Sequence, residues 1–223
     1  MLIDLTHTIA EEMPVYPGTP APQMFPIGGI ETHGYRETML HIGSHTGTHM
    51  DAPAHMLEDG ARLDQLPVSH FCGKAALLDV TDMPEGSTIT VQMLLERLGP
   101  LQGTDFLLIR TGWEDKWNSP GFFTAPFPFL SEDAARFLVA QGFKGVGTDA
   151  ISVDPADTTT FPVHHVLFRG GLVTVENLCL NQLAGKTDIR FFALPLKFAE
   201  SDGAPVRAMA EIPDFPEKEL MRG

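Results

Sequence analysis

The sequence has few basic residues, few cysteines and no long apolar run. Its 223 residues include 15 Lys and Arg against 29 Asp and Glu, which gives a formal net charge of −14 at pH 7. A chain this acidic repels phosphate groups, so its composition argues against binding to nucleic acid or to an anionic membrane surface. The shortage of positive charge therefore leaves a small molecule as the expected ligand.

The two cysteines, Cys72 and Cys179, lie far apart and form no C-x-x-C pattern. Isolated cysteines of this kind are typical of reduced thiols in a protein core rather than of a disulfide framework. Near its N-terminus the chain has an acidic residue, Asp4, where a secretory signal has basic residues. No stretch approaches the roughly 20 apolar residues of a membrane span. Together these features predict a cytoplasmic protein without a membrane partner.

No repeat, low-complexity linker or block of like charge divides the chain, so we expect a single domain over residues 1–223. Six apolar runs bounded by Gly, Pro or Asp predict strands: KAALLDVT, DFLLIRTG, GVGTDAISV, LVTVENL, IRFFALPL and PVRAMAEI. Two segments predict helices, TVQMLLERLG and SEDAARFLVAQG, the second with Ser131 as its cap and Gly142 at its end. This alternation predicts a mixed α/β fold and leaves its topology open.

The segment GSHTGTHMDAPAH carries four potential metal ligands close together, namely His45, His49, Asp51 and His55. Its glycines, its β-branched threonines and its proline oppose a regular helix. A straight strand also fails, because four residues at about 3.3 Å each would separate the first two imidazoles by about 13 Å. We therefore predict a bend at Gly47 that gathers these side chains.

The chemistry of these four side chains favours a metal site. Imidazole nitrogens and carboxylate oxygens form a ligand set that zinc favours and that manganese, iron and nickel tolerate. Solvated loop histidines or hydrogen-bonded packing residues are the alternative, which a lone histidine would favour. Four such groups within one short segment favour the metal site instead.

The segment HTGTHMDAPAH resembles the H-x-G-T-H-x-D-x-P-x-H signature of the cyclase family of metal-dependent hydrolases, which includes bacterial kynurenine formamidases and isatin hydrolases. The resemblance continues through GTDAISVDP, HHVLFRGGLVTVENL and LPLKFAESDGAPVRA, so it spans nearly the whole chain. It implies a single domain with a swivelling β/β/α-like fold. It also implies a homodimer or homotetramer, although no heptad pattern or apolar stripe indicates one independently.

The resemblance implies specific metal ligands. In the family, the first two histidines and the aspartate of the signature bind metal, and these correspond to His45, His49 and Asp51, with the aspartate bridging two ions. A histidine twelve residues before a glutamate supplies the second group, and His164 and Glu176 have that spacing. The residues alone leave His164 open between a helix surface and a ligand, and Glu176 in its apolar strand needs a cationic partner. The implied cofactor is a pair of divalent ions per subunit, zinc or manganese.

The last histidine of the signature, His55, corresponds to the proton donor and acceptor of the family, and a third-ligand role is the alternative. The implied activity is that of a metal-dependent amidohydrolase, in which metal-activated hydroxide attacks the carbonyl of a small aromatic amide or formamide. The chain has no G-x-S-x-G elbow, so no serine nucleophile of that type competes with this interpretation.

N-formylkynurenine, a compound of tryptophan catabolism, is the first substrate that the resemblance implies. The alternatives are an isatin-type lactam hydrolase, a small ester or lactone hydrolase, and a non-catalytic metal-binding scaffold. The resemblance loosens near the N-terminus, where kynurenine formamidases usually carry W-P-G-D and this chain has VYPGTP. Tyr16 is therefore predicted to contact the substrate, with packing in a proline-rich turn as the alternative. Trp113 and Trp117 either cover the pocket, contact another subunit or pack at the surface.

Overall fold

The structure is a computed structural model that describes residues 1–213. In this part of the chain, strands β1 to β12 span Leu2–Asp4, Gln23–Gly28, Glu37–His41, His49–Asp51, Cys72–Asp79, Thr88–Ile89, Phe106–Arg110, Phe129–Leu130, Gly145–Thr148, Val173–Glu176, Ile189–Pro195 and Gly203–Glu211. Helices α1 to α4 span Ile30–His33, Val91–Leu98, Glu132–Ala140 and Pro162–Arg169. A short 3-10 helix, Pro53–His55, follows β4 directly.

The main sheet has eight strands in the order β1-β12-β11-β5-β7-β9-β10-β4, and β12 also pairs with β4. This second pairing closes seven of the strands into a barrel, and β1 pairs with another stretch of β12. Strands β5, β7, β9 and β10 are parallel neighbours, whereas the other pairings of this sheet are antiparallel. The sheet is therefore mixed, and the predicted mixed α/β class is confirmed.

Helices α2, α3 and α4 connect successive parallel strands and cover one face of that part of the sheet. The side chains of Thr90 and Ser131 accept hydrogen bonds from backbone N–H groups in the first turns of α2 and α3, which fixes where these helices begin. Leu94, Leu138 and Leu167 from the three helices meet the apolar side chains of β5, β7 and β9 in one buried core. Both predicted helices and all six predicted strands are present.

The opposite face of the sheet forms a second core inside the barrel. Met50 of β4 and Val175 of β10 point into this core with side chains of β11 and β12. Because successive side chains of a strand point to opposite faces, the neighbours of Met50, which are His49 and Asp51, point outward to the side on which α4 packs. The barrel therefore places polar side chains of two adjacent strands against a helix.

Several elements differ from what the sequence pattern predicts. Helix α4 begins at Pro162 after Phe161, which has a left-handed backbone with φ of 47° and no capping side chain of its own. Strands β2 and β3 form a separate hairpin that exposes several large apolar side chains: Phe25, Ile27, Met39 and Leu40. Helix α4 has one local signal, Pro162 at its first position, whereas its capping side chain comes from elsewhere in the chain, and the hairpin has no regular alternation.

Among the residues that the structure describes, no helix combines the length and the apolar character needed to span a membrane. The extent of the domain over residues 1–223 stays a prediction, and its last part, residues 214–223, lies outside the described residues.

Close packing of β9 yields a testable prediction. A Cβ at Gly145 would lie 2.8 Å from the carbonyl oxygen of Val173 and 2.9 Å from the Phe106 ring, so Gly145→Ala must push β9 away from β7 and β10. We expect this substitution to lower the free energy of unfolding in urea by about 1–3 kcal/mol. Gly121→Ala is the matched control, because its Cβ would make an ordinary contact of 3.8 Å with Ala125. Equal stability of the two variants would contradict the prediction.

Candidate metal centre

The signature segment bends before it enters the sheet. Gly47 has φ of 65°, a conformation that side chains other than glycine rarely adopt, and the chain then continues into β4. The bend returns His45 to the end of β4, where its Nδ1 lies 2.6 Å from Oδ1 of Asp51. The predicted bend at Gly47 is confirmed.

The register of β4 fixes which side chains meet. His49 lies opposite Glu176 of β10, and Asp51 lies opposite Thr174 of the same strand. On its other edge, Asp51 lies opposite Gly203 of β12. A three-residue strand thus aligns two potential ligands with a third on the neighbouring strand, while helix α4 adds His164.

Asp51 lies between two groups of potential ligands. Its Oδ1 is 3.2 Å from Nε2 of His49, and its Oδ2 is 3.9 Å from Nε2 of His164. Glu176 joins both sides, with Oε2 3.5 Å from Nε2 of His49 and Oε1 3.3 Å from Nε2 of His164. The side chains form two triads, one of His45, His49 and Asp51 and one of Asp51, His164 and Glu176, and the ligand atoms within each triad lie within 4.8 Å of one another. All five predicted ligand residues are therefore brought together, and their ligand role stays a prediction.

A hydrogen bond on the second ring nitrogen orients each of the three histidines. Nδ1 of His49 lies 2.8 Å from the carbonyl oxygen of Gly47, to which it donates. Nδ1 of His164 lies 2.6 Å from Oδ2 of Asp154, and Nε2 of His45 lies 3.0 Å from Oδ2 of Asp202. Such outer contacts are usual for metal-binding histidines, because they fix the ring and leave the other nitrogen facing the ion.

Asp154 has two tasks at the start of α4. Its Oδ1 accepts a hydrogen bond from the backbone N–H of Val163 at 2.8 Å, and its Oδ2 accepts one from the backbone N–H of His164 at 3.0 Å. The carboxylate therefore caps the helix in place of Phe161, and it also holds the His164 ring. Since Asp154 is fully buried, water does not compete for these contacts.

Buried negative charge dominates the electrostatics of the cluster. Asp51 is 2% exposed, and among the described residues its ion-pair partners, like those of Glu176, are histidines. Burial and the charge of Asp51 raise the pKa of Glu176. Burial disfavours the charged form of His164, yet Asp154 and Glu176 raise the pKa of its ring to about 10. The cluster is thus built to hold positive charge, from protons on the histidines or from bound cations.

Three of the donor separations in the cluster fit divalent cations, whereas the 2.6 Å between Nδ1 of His45 and Oδ1 of Asp51 is a hydrogen-bond distance. Ligands about 2.0 Å from a tetrahedral zinc ion lie roughly 3.3 Å apart. The contacts of His49 with Asp51 and Glu176, at 3.2 and 3.5 Å, and the contact of His164 with Glu176, at 3.3 Å, match this spacing. Nitrogen and carboxylate donors at these separations are suited to zinc or manganese.

His55 lies beside the first triad rather than within it. Its ring centroid is 4.0 Å from that of His45, and its side chain is 32% exposed, whereas His49 and His164 are buried. Burial lowers the pKa of His55, although Asp51 opposes this effect. A neutral imidazole at the open side of the cluster suits a proton acceptor, and its role stays a prediction.

The three aromatic candidates differ in burial and in their contacts. Tyr16 is 58% exposed and contacts the ring of Phe123 edge to face at 6.0 Å, so its predicted substrate role stays a prediction. Trp113 is buried, and its Nε1 donates to the carbonyl oxygen of Phe122, which makes it a core residue. Trp117 stacks on His7 with 3.9 Å between ring centroids.

Three residues outside the predicted site contact the predicted ligands: Thr174 and Asp154, which the sequence does not indicate, and Asp202, whose role the sequence leaves open. Thr174 donates to Oδ2 of Asp51 at 2.7 Å, whereas Asp154 and Asp202 accept from His164 and His45. Asp202 lies in the segment LPLKFAESDGAPVRA that carries the family resemblance, but its contact spans 157 residues and has no local signal. Arg207 from the same segment forms two hydrogen bonds with Asp4 at the surface instead.

Comparisons with known proteins agree on one family. A family model described as "Putative cyclase" matches residues 3–155, which is more than half of the chain. The kynurenine formamidase of Bacillus thuringiensis (strain Al Hakam) is 33% identical over 208 residues, covering 93% of this chain and 95% of that protein.

Two solved structures have similar folds. The structure of a "potential metal-dependent hydrolase with cyclase activity" has a TM-score of 0.77 and 32% identity, and the match covers 96% of this chain and 99% of the other. An isatin hydrolase bound to the product analogue thioisatinate has a TM-score of 0.87 at 21% identity, covering 95% of this chain and 92% of the other. The second similarity concerns the fold alone.

The contact between Asp154 and His164 leads to a prediction about metal binding. In Asp154→Asn, the amide oxygen still accepts a backbone N–H, but a single neutral oxygen replaces the carboxylate that holds the His164 ring. We expect the affinity for Zn²⁺ to fall roughly 10- to 100-fold in calorimetric titrations. Asp157→Asn removes the same charge from an exposed position near the same loop and is expected to bind as the unchanged protein does. Equal affinities of the two variants would show that Asp154 acts only as a helix cap.

Proposed function

The chain belongs to the cyclase family of metal-dependent hydrolases, and from this premise we propose that it is a metal-dependent amidohydrolase that opens a C–N bond in a small aromatic amide or formamide. One observation carries the proposal: buried Asp51 faces His49 with one oxygen and His164 with the other. A carboxylate so placed joins two ligand groups into one centre. The partly exposed His55 stands at the side of that centre.

We propose that the centre holds two divalent ions, zinc or manganese. His45, His49 and Asp51 would hold one ion, and Asp51 would share the second with His164 and Glu176. Bound there, such ions would polarise a substrate carbonyl and lower the pKa of a water molecule to about 7. The two buried carboxylates support this proposal, because each requires positive charge nearby.

The chain's own residues orient the ligands and carry a proton. Asp154, Asp202 and the carbonyl oxygen of Gly47 hold the three histidine rings. We propose that His55 accepts a proton from water and donates it to the departing amine, since its ring is both close to the cluster and open to solvent. The alternative is that His55 is a ligand, because it forms a third potential ligand group with His45 and Asp202.

N-formylkynurenine is the first substrate to test, which would assign the reaction to tryptophan catabolism. The kynurenine formamidase that is 33% identical over nearly the full length supports this choice. The isatin hydrolase supports the same fold at lower identity, so a lactam substrate is the second candidate. A homodimer or homotetramer, the cytoplasmic location and a substrate contact by Tyr16 are further parts of the proposal.

Replacing His55 tests its role directly. If His55 carries a proton, His55→Ala lowers kcat by roughly 10²- to 10⁴-fold, while the metal content of the purified protein stays unchanged. Elemental analysis and steady-state kinetics on the same preparation measure both quantities. His41→Ala changes an exposed histidine of β3 and serves as the control, for which we expect unchanged kinetics. Loss of one ion from His55→Ala would instead make His55 a ligand.

A chelation and substrate experiment tests the function itself. The protein is stripped with a chelator, reloaded with Zn²⁺ or Mn²⁺, and assayed on N-formylkynurenine, isatin and simple aryl esters. We expect hydrolysis of the formamide to disappear on stripping and to return on reloading. Turnover of isatin or of the esters alone would replace the proposed substrate. A fully loaded protein that hydrolyses none of them would be a metal-binding scaffold.

A further inference from the structure

Asp202 contacts both a predicted ligand and the predicted proton carrier through a single oxygen. Its Oδ2 lies 3.0 Å from Nε2 of His45 and 3.7 Å from Nδ1 of His55. The hydroxyl of Ser44 donates to the same oxygen at 3.4 Å. The two imidazole rings are 4.0 Å apart, and the same carboxylate oxygen lies next to both: it accepts a hydrogen bond from His45 and makes a longer, electrostatic contact with His55.

The backbone around Asp202 is fixed to the segment that carries His55. The carbonyl oxygen of Asp202 accepts a hydrogen bond from the N–H of Ala52 at 2.8 Å, directly before the 3-10 helix of His55. The preceding residue, Ser201, is fully buried and accepts from the N–H of Leu63 at 3.0 Å. The carboxylate therefore extends from a well-anchored part of the chain.

The residue after Asp202 makes room for the ligand ring. A Cβ at Gly203 would lie 2.5 Å from Cε1 of His45, so a side chain at this position would displace the imidazole. Asp202 and Gly203 thus both contact the His45 ring. Gly203 leaves space for the ring, and Asp202 accepts a hydrogen bond from its Nε2.

The exposure of Asp202 indicates that its carboxylate contributes little to the stability of the fold. The Asp202 side chain is 44% exposed, so its ion pairs with the two histidines are weakened by solvent and add little to the stability of the fold. Asp154, which holds His164, is fully buried and caps a helix as well. Removing the Asp202 carboxylate should therefore leave the fold intact while it removes one contact of each of the two rings.

We propose that Asp202 is a positioning residue that holds His55 in line for proton transfer and His45 in line for metal binding. This inference rests on the proposed function. The carboxylate takes no proton from the substrate in this scheme. Its contribution is to keep the proton-carrying ring and a ligand ring at a constant separation.

Kinetics of Asp202→Asn test the proposal. We expect kcat on N-formylkynurenine to fall about 10- to 100-fold with little change in KM, because the loss of an orienting partner acts on the reacting geometry. The melting temperature should stay within about 4 °C of that of the unchanged protein. Glu200→Gln removes a charge from an exposed position of the same loop and should leave kcat unchanged. Asp202→Glu, which keeps the carboxylate, should recover part of the loss.

A double substitution identifies the ring through which Asp202 acts. In zinc-saturated protein that already carries His55→Ala, where weaker metal binding through His45 does not limit kcat, adding Asp202→Asn should lower kcat less than about twofold, because the positioned proton carrier is gone. A full additional loss would mean that Asp202 acts without His55 and would overturn that half of the proposal. Equal kcat of Asp202→Asn and Glu200→Gln would overturn it entirely.

Ring nitrogen NMR of the zinc-loaded protein gives a readout that does not need activity. We expect a hydrogen-bonded Nε2 proton on His45 in the unchanged protein, and we expect this proton to exchange rapidly with water in Asp202→Asn. Identical His45 and His55 ring signals in Asp202→Asn and Glu200→Gln would contradict the proposal. If the unchanged protein hydrolyses no substrate, the proposed function fails, and these spectra still decide whether Asp202 holds the two rings.

Discussion

The pairing of β4 with two strands at once determines both the fold and the cluster of predicted metal ligands. Strand β4 has only three residues, yet it pairs with β10 on one edge and with β12 on the other, which closes the barrel. Met50 at its centre fills the barrel interior, while His49 and Asp51 point to the opposite face. Closure of the sheet and assembly of the cluster are therefore one structural event.

The cluster combines a rigid interior with an open side. Buried contacts hold His49 and His164, whereas His45 and His55 lie toward solvent and share the half-exposed Asp202. This difference in burial suits a hydrolase, because the predicted ligands at the buried side must keep their geometry while the substrate and water enter at the exposed side. The aromatic stack of Trp117 on His7 lies close to the same region, since the N–H of His7 donates to Thr48 of the signature.

The sequence predicts much of the fold because the central strands are long apolar runs with clear boundaries. It does not predict β4, whose strand character comes from its two partners rather than from the residues His49–Asp51 themselves. The sequence does not predict helix α4 for a related reason: its capping residue, Asp154, lies ten residues before His164 instead of directly before the helix. The family resemblance and the clustering of histidines in one segment identify the five predicted ligands, but they do not identify the hydrogen-bond partners that orient the histidine rings. Contacts such as His45 with Asp202 join distant parts of the chain, and only the folded barrel brings them together.

The late position of β12 in the chain has a consequence for biosynthesis. While the ribosome is still translating residues before 203, the nascent protein lacks one of the two partners of β4 and the carboxylate that receives His45. Assembly of the complete cluster therefore has to wait until most of the polypeptide has emerged. If the cluster binds metal as proposed, it takes up its ions at the end of synthesis, when the last of its contacts forms.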